Sequence, residues 1–166
     1  MKSFGEKQMK LYYRSLEKGD LAKWEELAKP EFSEEDFCSR DYLLKRWNST
    51  KGWVLMTPEK EWIGCCFISF KFHEYNRGGV HFLEWCIFPK FRSQGYAKHL
   101  VKLCFDNSIG FQKSICINPT NKASTALAQK YGFKELEIHK YWMVFMCDKD
   151  FYPQELVNLN ISYCNE

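Results

Sequence analysis

Between residues 88 and 100 the chain reads Phe88-Pro89-Lys90-Phe91-Arg92-Ser93-Gln94-Gly95-Tyr96-Ala97-Lys98-His99-Leu100. The chemistry that these residue types allow is anion binding. An apolar run at 80–88 precedes them and reads as a strand, and a run with helical periodicity follows. A strand, a short basic loop and a helix with glycine near its start make a cradle. The first backbone N–H groups of a helix have no partner within it, and the helix dipole favours negative charge there. Gly95 lets a phosphate approach the backbone with no side chain between them, and Ala97 keeps the next contact small. Lys90 and Arg92 add positive charge. A pyrophosphate fits this pattern.

The elements that must hold this loop follow from patterning along the chain. Residues 10–16 read as a first strand. Asp20 is placed to cap a short helix with Leu21, Trp24, Leu27 and Ala28 on one side, and Pro30 ends it. Ser39 can cap a second helix bearing Tyr42, Leu43 and Trp47. Residues 53–56 form a short strand and 62–72 a long one. Asn76-Arg77-Gly78-Gly79 is a hairpin signal into the strand at 80–88, so the first four strands form an antiparallel meander. The order then changes. Residues 94–107 fit a helix with Ala97, Leu100, Val101 and Cys104 on one face, and Gly110 stops it. A strand at 114–118 completes a parallel crossover. Asn118-Pro119 breaks the chain, Thr120 or Asn121 caps a further helix, and Gly132-Phe133 gives it a Schellman-type end. Strands at 135–139 and 141–147 follow, the second apolar on both faces and therefore expected to be interior.

Bulk composition limits the classes of function. The 166 residues suit one domain with one real core, and 45% hydrophobic with 17% aromatic residues exclude a disordered chain. A net charge of +3, from 24 basic and 21 acidic residues, is too small to argue for nucleic acid. The polar start lacks a signal-peptide core, and no apolar run approaches a membrane span. There are eight cysteines, but Cys65, Cys66, Cys86, Cys116 and Cys147 fall within apolar strand-like runs. No Cys-x-x-Cys pair or zinc-type Cys/His spacing occurs. Reduced, mostly buried thiols in a cytoplasmic protein are expected.

Two segments together resemble the GCN5-related N-acetyltransferase (GNAT) family. Arg92-Ser93-Gln94-Gly95-Tyr96-Ala97 is similar to that family's acetyl-CoA signature, Arg/Gln-x-x-Gly-x-Gly/Ala. Asn121-Lys122-Ala123-Ser124-Thr125-Ala126-Leu127-Ala128-Gln129-Lys130-Tyr131-Gly132-Phe133 is similar to its second motif, an Asn-led helix closed by Gly-Phe. The resemblance covers about 10–147 of a single domain spanning 1–166, with 148–166 as a C-terminal extension. It implies an α/β fold: a mixed, mostly antiparallel seven-stranded sheet with splayed fourth and fifth strands and helices on both faces. It implies acetyl-CoA as the cofactor, its pyrophosphate on the amides around Gln94, Gly95, Tyr96, Ala97 and Lys98, with Arg92 and Ser93 in the same loop. Cys86, Ile87 and Phe88 would pair with the pantetheine arm. The Ile87 amide would polarise the thioester carbonyl, and Asn121 and Ser124 would touch the cofactor from the other side.

The implied reaction has definite needs. An alkylamine is mostly protonated at neutral pH, so a base must take its proton, directly or through water. The developing oxyanion needs a donor placed for it. Glu84 is the base candidate, because a carboxyl among Phe82, Leu83, Trp85 and Cys86 has a raised pKa; strand alternation puts it on the face of Phe82 and Cys86. The competing reading is a salt-bridged edge carboxylate. His81 has the opposite parity, and His139 falls in a turn. Many family members carry a tyrosine that protonates the leaving thiolate; here Ala128 occupies that slot. Tyr131 lies three residues on, either as that acid or as a core residue, and Ser124 is a further candidate. A thiolate can also leave without a protein acid. Glu31, Glu34, Glu35 and Asp36, near Phe32 and Phe37, would attract a cationic amine or form a solvated acidic face.

The expected function is transfer of acetyl from acetyl-CoA to a primary amine, of a small molecule or a peptide, in a ternary complex. The alternative is a non-catalytic acyl-CoA-binding module on the same fold. Neither nucleic acid nor membrane is an expected partner. Residues 149–166, rich in large apolar side chains, would cover the sheet or reach a second subunit of a homodimer.

Overall fold

The computed structural model describes residues 9–32, 38–70, 79–138 and 142–164. Its centre is a single sheet in the order β6-β7-β5-β4-β3-β2-β1-β8. Strands β1 (Tyr12–Ser15), β2 (Thr50–Met56), β3 (Trp62–Ser69) and β4 (Val80–Ile87) form the expected antiparallel meander. The β2–β3 turn is tied by Lys60 N–H to Thr57 O (2.9 Å) and by the Thr57 hydroxyl, which accepts from Glu61 N–H (3.1 Å). The Asn76–Gly78 part of the expected hairpin signal lies outside the described residues, as does His139.

Helix α1 (Leu21–Ala28) starts after Asp20, whose carboxylate does not cap it. Asp20 instead accepts from Arg14 (2.8 and 3.0 Å) and from Glu17 N–H. Helix α2 (Arg40–Lys45) is capped as the sequence suggests, Ser39 Oγ accepting from Tyr42 N–H. Both pack on one sheet face through Leu21, Trp24, Ala28 and Leu43 against Val54, Cys65, Phe67 and Phe88. Helices α3 (Ala97–Asp106) and α4 (Lys122–Lys130) cover the other face. There Leu100, Cys104, Phe105, Ala128 and Tyr131 meet Ile63, Cys66, Leu83 and Phe145. Asn121 Oδ1 caps α4 by accepting from Ser124 N–H (3.1 Å). Its far end turns at Gly132, φ +92°, with Phe133 N–H donating to Ala128 O.

The feature that positions the site is a break in pairing. β4 and β5 (Gln112–Ile117) run parallel, but their ladder holds only Val80–Gln112, His81–Lys113 and Phe82–Ser114. Beyond Ser114, β5 stays paired with β7 (Met143–Cys147) through Ile117, and β6 (Lys134–Ile138) closes that edge. The later residues of β4 therefore part from β5, and a wedge opens between them. β7 is interior as expected, flanked by β5 and β6.

The strand count differs from expectation: the described residues form eight strands, not seven. Ser162–Tyr163 form β8, parallel to β1, with Ser162 N–H donating to Leu11 O and Cys164 N–H to Tyr13 O (2.8 Å). The tail reaches it after burying Leu156 in the α3 face. Two paired residues leave no periodicity to read in a sequence. All eight cysteines are free thiols; Cys65, Cys66, Cys86, Cys104 and Cys147 are buried, and Cys116 is exposed. No helix among the described residues is long and apolar enough to cross a membrane.

Gly64 of β3 lies opposite Ile87 of β4. A Cβ there would collide with the Cys86 carbonyl oxygen and stand 3.1 Å from Ile87 Cα. These are backbone atoms and cannot swing aside. Gly64→Ala is expected to push β4 off β3 and to destabilise the fold by about 1–3 kcal/mol, read as a lower denaturant midpoint at unchanged slope.

Candidate active site

The wedge exposes one edge of β4. Phe88 N–H donates to Ile63 O of β3 (2.9 Å), so alternation turns the peptide groups of Ile87 and Trp85 the other way, toward the opening. The Ile87 carbonyl accepts from Arg92 Nε (3.0 Å), and the Arg92 guanidinium lies 5.4 Å from the centre of the Phe32 ring. Arg92 thus bridges the mouth of the wedge. Lys90, the other cation expected at the loop, turns to Glu61 (2.6 Å).

From this edge a cavity of about 640 Å³ runs to the loop before α3, walled on its far side by Asn121, Ser124, Leu127 and Tyr131. The loop has two left-handed residues, Ser93 (φ 59°) and Gly95 (φ 82°), and Gln94 Nε2 donates back to Lys90 O to hold its shape. No side chain caps α3, and its first turn carries no acid. Gly95 lines the cavity, and a Cβ built on it would meet nothing within 4 Å. The backbone therefore presents its amides to open space, as a phosphate cradle requires. Lys98 is half-buried on the same wall. The sequence-expected binding set of Cys86, Ile87, Arg92, Ser93, Gly95, Tyr96, Ala97, Lys98, Asn121 and Ser124 borders this cavity. Gln94 serves the loop, and Phe88 is buried in the α1–α2 face. The residues present suit the diphosphate and pantetheine parts of acetyl-CoA.

A smaller chamber of about 100 Å³ continues inward, sharing Phe32, Trp85, Cys86, Asn121 and Ser124 with the first. Trp24, Phe67, Ile117, Cys38, Cys116 and Glu84 are among the other residues that line it. Glu84 faces the α1–α2 side, as parity requires. Its side chain is exposed to solvent where it lines the chamber, with Trp24, Phe32, Cys38 and Phe67 on the surrounding walls. Partial loss of water to those walls raises its pKa; a hydrogen bond from the Cys38 thiol and the Arg46 charge pull it partly back. Burial pushes the Cys38 thiol well up, with the Glu84 charge and hydrogen bond adding to it. Burial likewise pushes Cys86 up to about 12 despite Arg92; Cys116, exposed at the chamber, is raised by partial desolvation and the Glu84 charge.

Other sequence candidates are placed differently. Ser124 lines both chambers at their junction. Ala128 is fully buried, and Tyr131 is 1% exposed in the core beside the larger cavity, its pKa raised chiefly by burial. His81 is away from the wedge, Nδ1 against Ser108 Oγ (3.0 Å) and stacked 4.0 Å from Phe111. Glu34, Glu35 and Asp36 lie outside the described residues. Trp24, Phe32, Phe67, Cys38 and Cys116 join the site only through tertiary packing.

Comparison with known proteins agrees with this geometry. Residues 21–133 match the model of the Acetyltransferase (GNAT) family. Similar solved structures include smu.2055 from Streptococcus mutans UA159, with 17% identity over 86% of this chain and 100% of that chain and a TM-score of 0.69. They also include the spermidine N-acetyltransferase of Vibrio cholerae in complex with CoA and spermine, at 20% identity over 82% of this chain and 93% of that one, with a TM-score of 0.63. A search of curated proteins found no match. The family match begins at α1 and ends just past α4, taking in both walls of the wedge, and on that ground the chain belongs to the GNAT family as an acetyl-CoA-dependent N-acetyltransferase that transfers acetyl to an amine.

Proposed function

We propose that the protein acetylates a small primary amine by direct attack within a ternary complex, with Glu84 as the base. The observation that carries this reading is the Glu84 carboxylate lining the inner chamber, three residues along β4 from the outward-turned Ile87 amide. Acetyl-CoA supplies the activated acyl group. The amide of Ile87 would donate to the thioester carbonyl as negative charge develops there. Glu84, its pKa raised toward that of a useful base, would take the ammonium proton directly or through one water. Arg92, holding the Ile87 carbonyl, anchors the end of the strand one peptide beyond this amide. Departure of a thiolate needs little acid help, so the buried Tyr131 is left to packing and Ser124 to the junction wall.

Direct transfer is supported by the thiols. Cys38, Cys86 and Cys116 all border the chamber; burial pushes the first two thiols up, and partial desolvation with the Glu84 charge raises the exposed Cys116, so none is an activated nucleophile for an acyl-enzyme route. The aromatic walls of Trp24, Phe32 and Phe67 around a single carboxylate suit an alkylammonium head group. Polyamines lead the acceptor panel. A fold-similar protein acetylates spermidine, and the chain between Phe32 and Cys38 carries Glu34, Glu35 and Asp36.

The test is chromatographic, since thiol-reactive dyes would label the protein's own cysteines. Incubation with acetyl-CoA and a panel of polyamines, aminoglycosides, amino acids and peptides is expected to yield acetylated amine and CoA in equal amounts. Intact mass should stay unchanged with acetyl-CoA alone. A stable acetyl-protein would replace direct transfer by a two-step route; tight CoA binding without turnover on any amine would favour the non-catalytic module.

A further inference from the structure

Among the described residues one buried side-chain polar atom has no hydrogen-bond partner, Nε1 of Trp85. Buried donors are almost always paired, and leaving one unpaired is disfavoured. The position of this one makes it informative. Trp85 lies on β4 where the two chambers join and lines both. Its peptide group turns to the wedge, and its ring packs into the α3–α4 face, edge-on to Phe133 with centroids 6.0 Å apart. That packing fixes the ring, so the N–H cannot swing away to bulk water. Its neighbour Glu84 points to the opposite face and is engaged by Cys38.

We propose that the Trp85 indole N–H is a cofactor-binding donor that hydrogen-bonds an amide carbonyl of the pantetheine arm. The partner must be an acceptor. An alkylammonium head group offers only donors, whereas the pantetheine arm carries two amide carbonyl oxygens along its length. Between the Gly95 cradle and the Ile87 amide the arm must pass the chamber junction that Trp85 walls. The nitrogen is covered by neighbouring atoms in the structure. β4 and β5 share ladder pairs only up to Phe82 and Ser114, so the wall at Trp85 is free to part as the arm enters. The contact completes a buried donor that the fold leaves without a partner, and it makes affinity depend on the arm as well as on the nucleotide.

Nitrogen-15 NMR of the full chain reads this directly, because each of the six tryptophans gives one indole N–H signal and Trp85→Phe identifies the relevant one. Addition of CoA is expected to move the Trp85 signal downfield, while the nucleotide half alone, adenosine bisphosphate, leaves it in place. In calorimetry Trp85→Phe should weaken CoA by about 3- to 10-fold and leave adenosine bisphosphate unchanged. Phe retains the edge-on contact with Phe133. A Trp85 signal that stays put while CoA binds overturns the proposal and leaves the cofactor site standing. A shift seen with acetyl-CoA but not with CoA also overturns it, since the partner would then be the thioester carbonyl. Failure of wild-type protein to bind CoA at all overturns both.

Discussion

Glu84→Gln is expected to lower kcat by about 10²- to 10⁴-fold while leaving CoA affinity within about twofold, the loss typical of a removed general base. Gln keeps the shape and can still accept from the Cys38 thiol, so the substitution removes charge and basicity alone. Two further readouts separate catalysis from packing. Partial desolvation raises the Glu84 pKa above its ordinary 4.5, so the acidic limb of kcat/KM should lie above that value, with activity rising as pH rises through it. In the variant the residual rate should lose that limb. The stability sign is opposite. With the folded pKa raised, the unfolded chain gives up its proton first as pH increases, and stability falls across the interval between the two values. Glu84→Gln is therefore expected to melt no lower than wild type at neutral pH. A variant that melts much lower, with activity lost in proportion, would make Glu84 a packing residue.

The second large effect is expected at Gly95. Gly95→Trp should weaken CoA by at least about 100-fold, since a ring placed in the cradle denies the diphosphate several charge-assisted amide contacts. Gly95→Ala is the necessary companion. At φ 82° any Cβ is strained, by roughly 1–2 kcal/mol, but this one meets nothing within 4 Å. The alanine variant should lose stability and keep most of its CoA affinity; the tryptophan variant should lose affinity beyond its loss of stability. Calorimetry and thermal melts on both decide it. Equal losses of affinity would mean that loop conformation alone governs binding, and retained affinity in Gly95→Trp would put the diphosphate elsewhere.

The cradle was legible in the sequence because its determinants are local. A strand, a glycine at a left-handed turn and a helix start all lie within a dozen residues. The meander, the Asn121 cap and the Gly132 stop were legible for the same reason. The wedge was expected only through the family resemblance, since the point where the β4–β5 ladder stops, at Phe82–Ser114, is a tertiary feature that no local pattern encodes. The partners of the cations beside the cradle were not legible: Lys90 pairs with Glu61, and Arg92, lining the cavity, holds the Ile87 carbonyl and lies over Phe32, because long side chains choose partners from the whole surface. The inner chamber gathers Trp24, Cys38, Phe67, Glu84 and Cys116 from five separate segments, and only parity at Glu84 hinted at it. Gly64 did carry a signal, since a glycine inside an apolar strand marks a close backbone approach.

The pairing of β8 with β1 has a consequence for how the chain is made. Tyr12 leaves the ribosome 150 residues before its neighbour Ser162, so the outer rim of the first strand stays open while those residues are synthesised. Contacts that distant form slowly, and an uncovered strand rim is a template for pairing with another nascent chain. The last strand, only two residues long, acts as a closing seam. Its loss should show first as poor yield and co-translational aggregation, with the chemistry of molecules that do fold left largely intact.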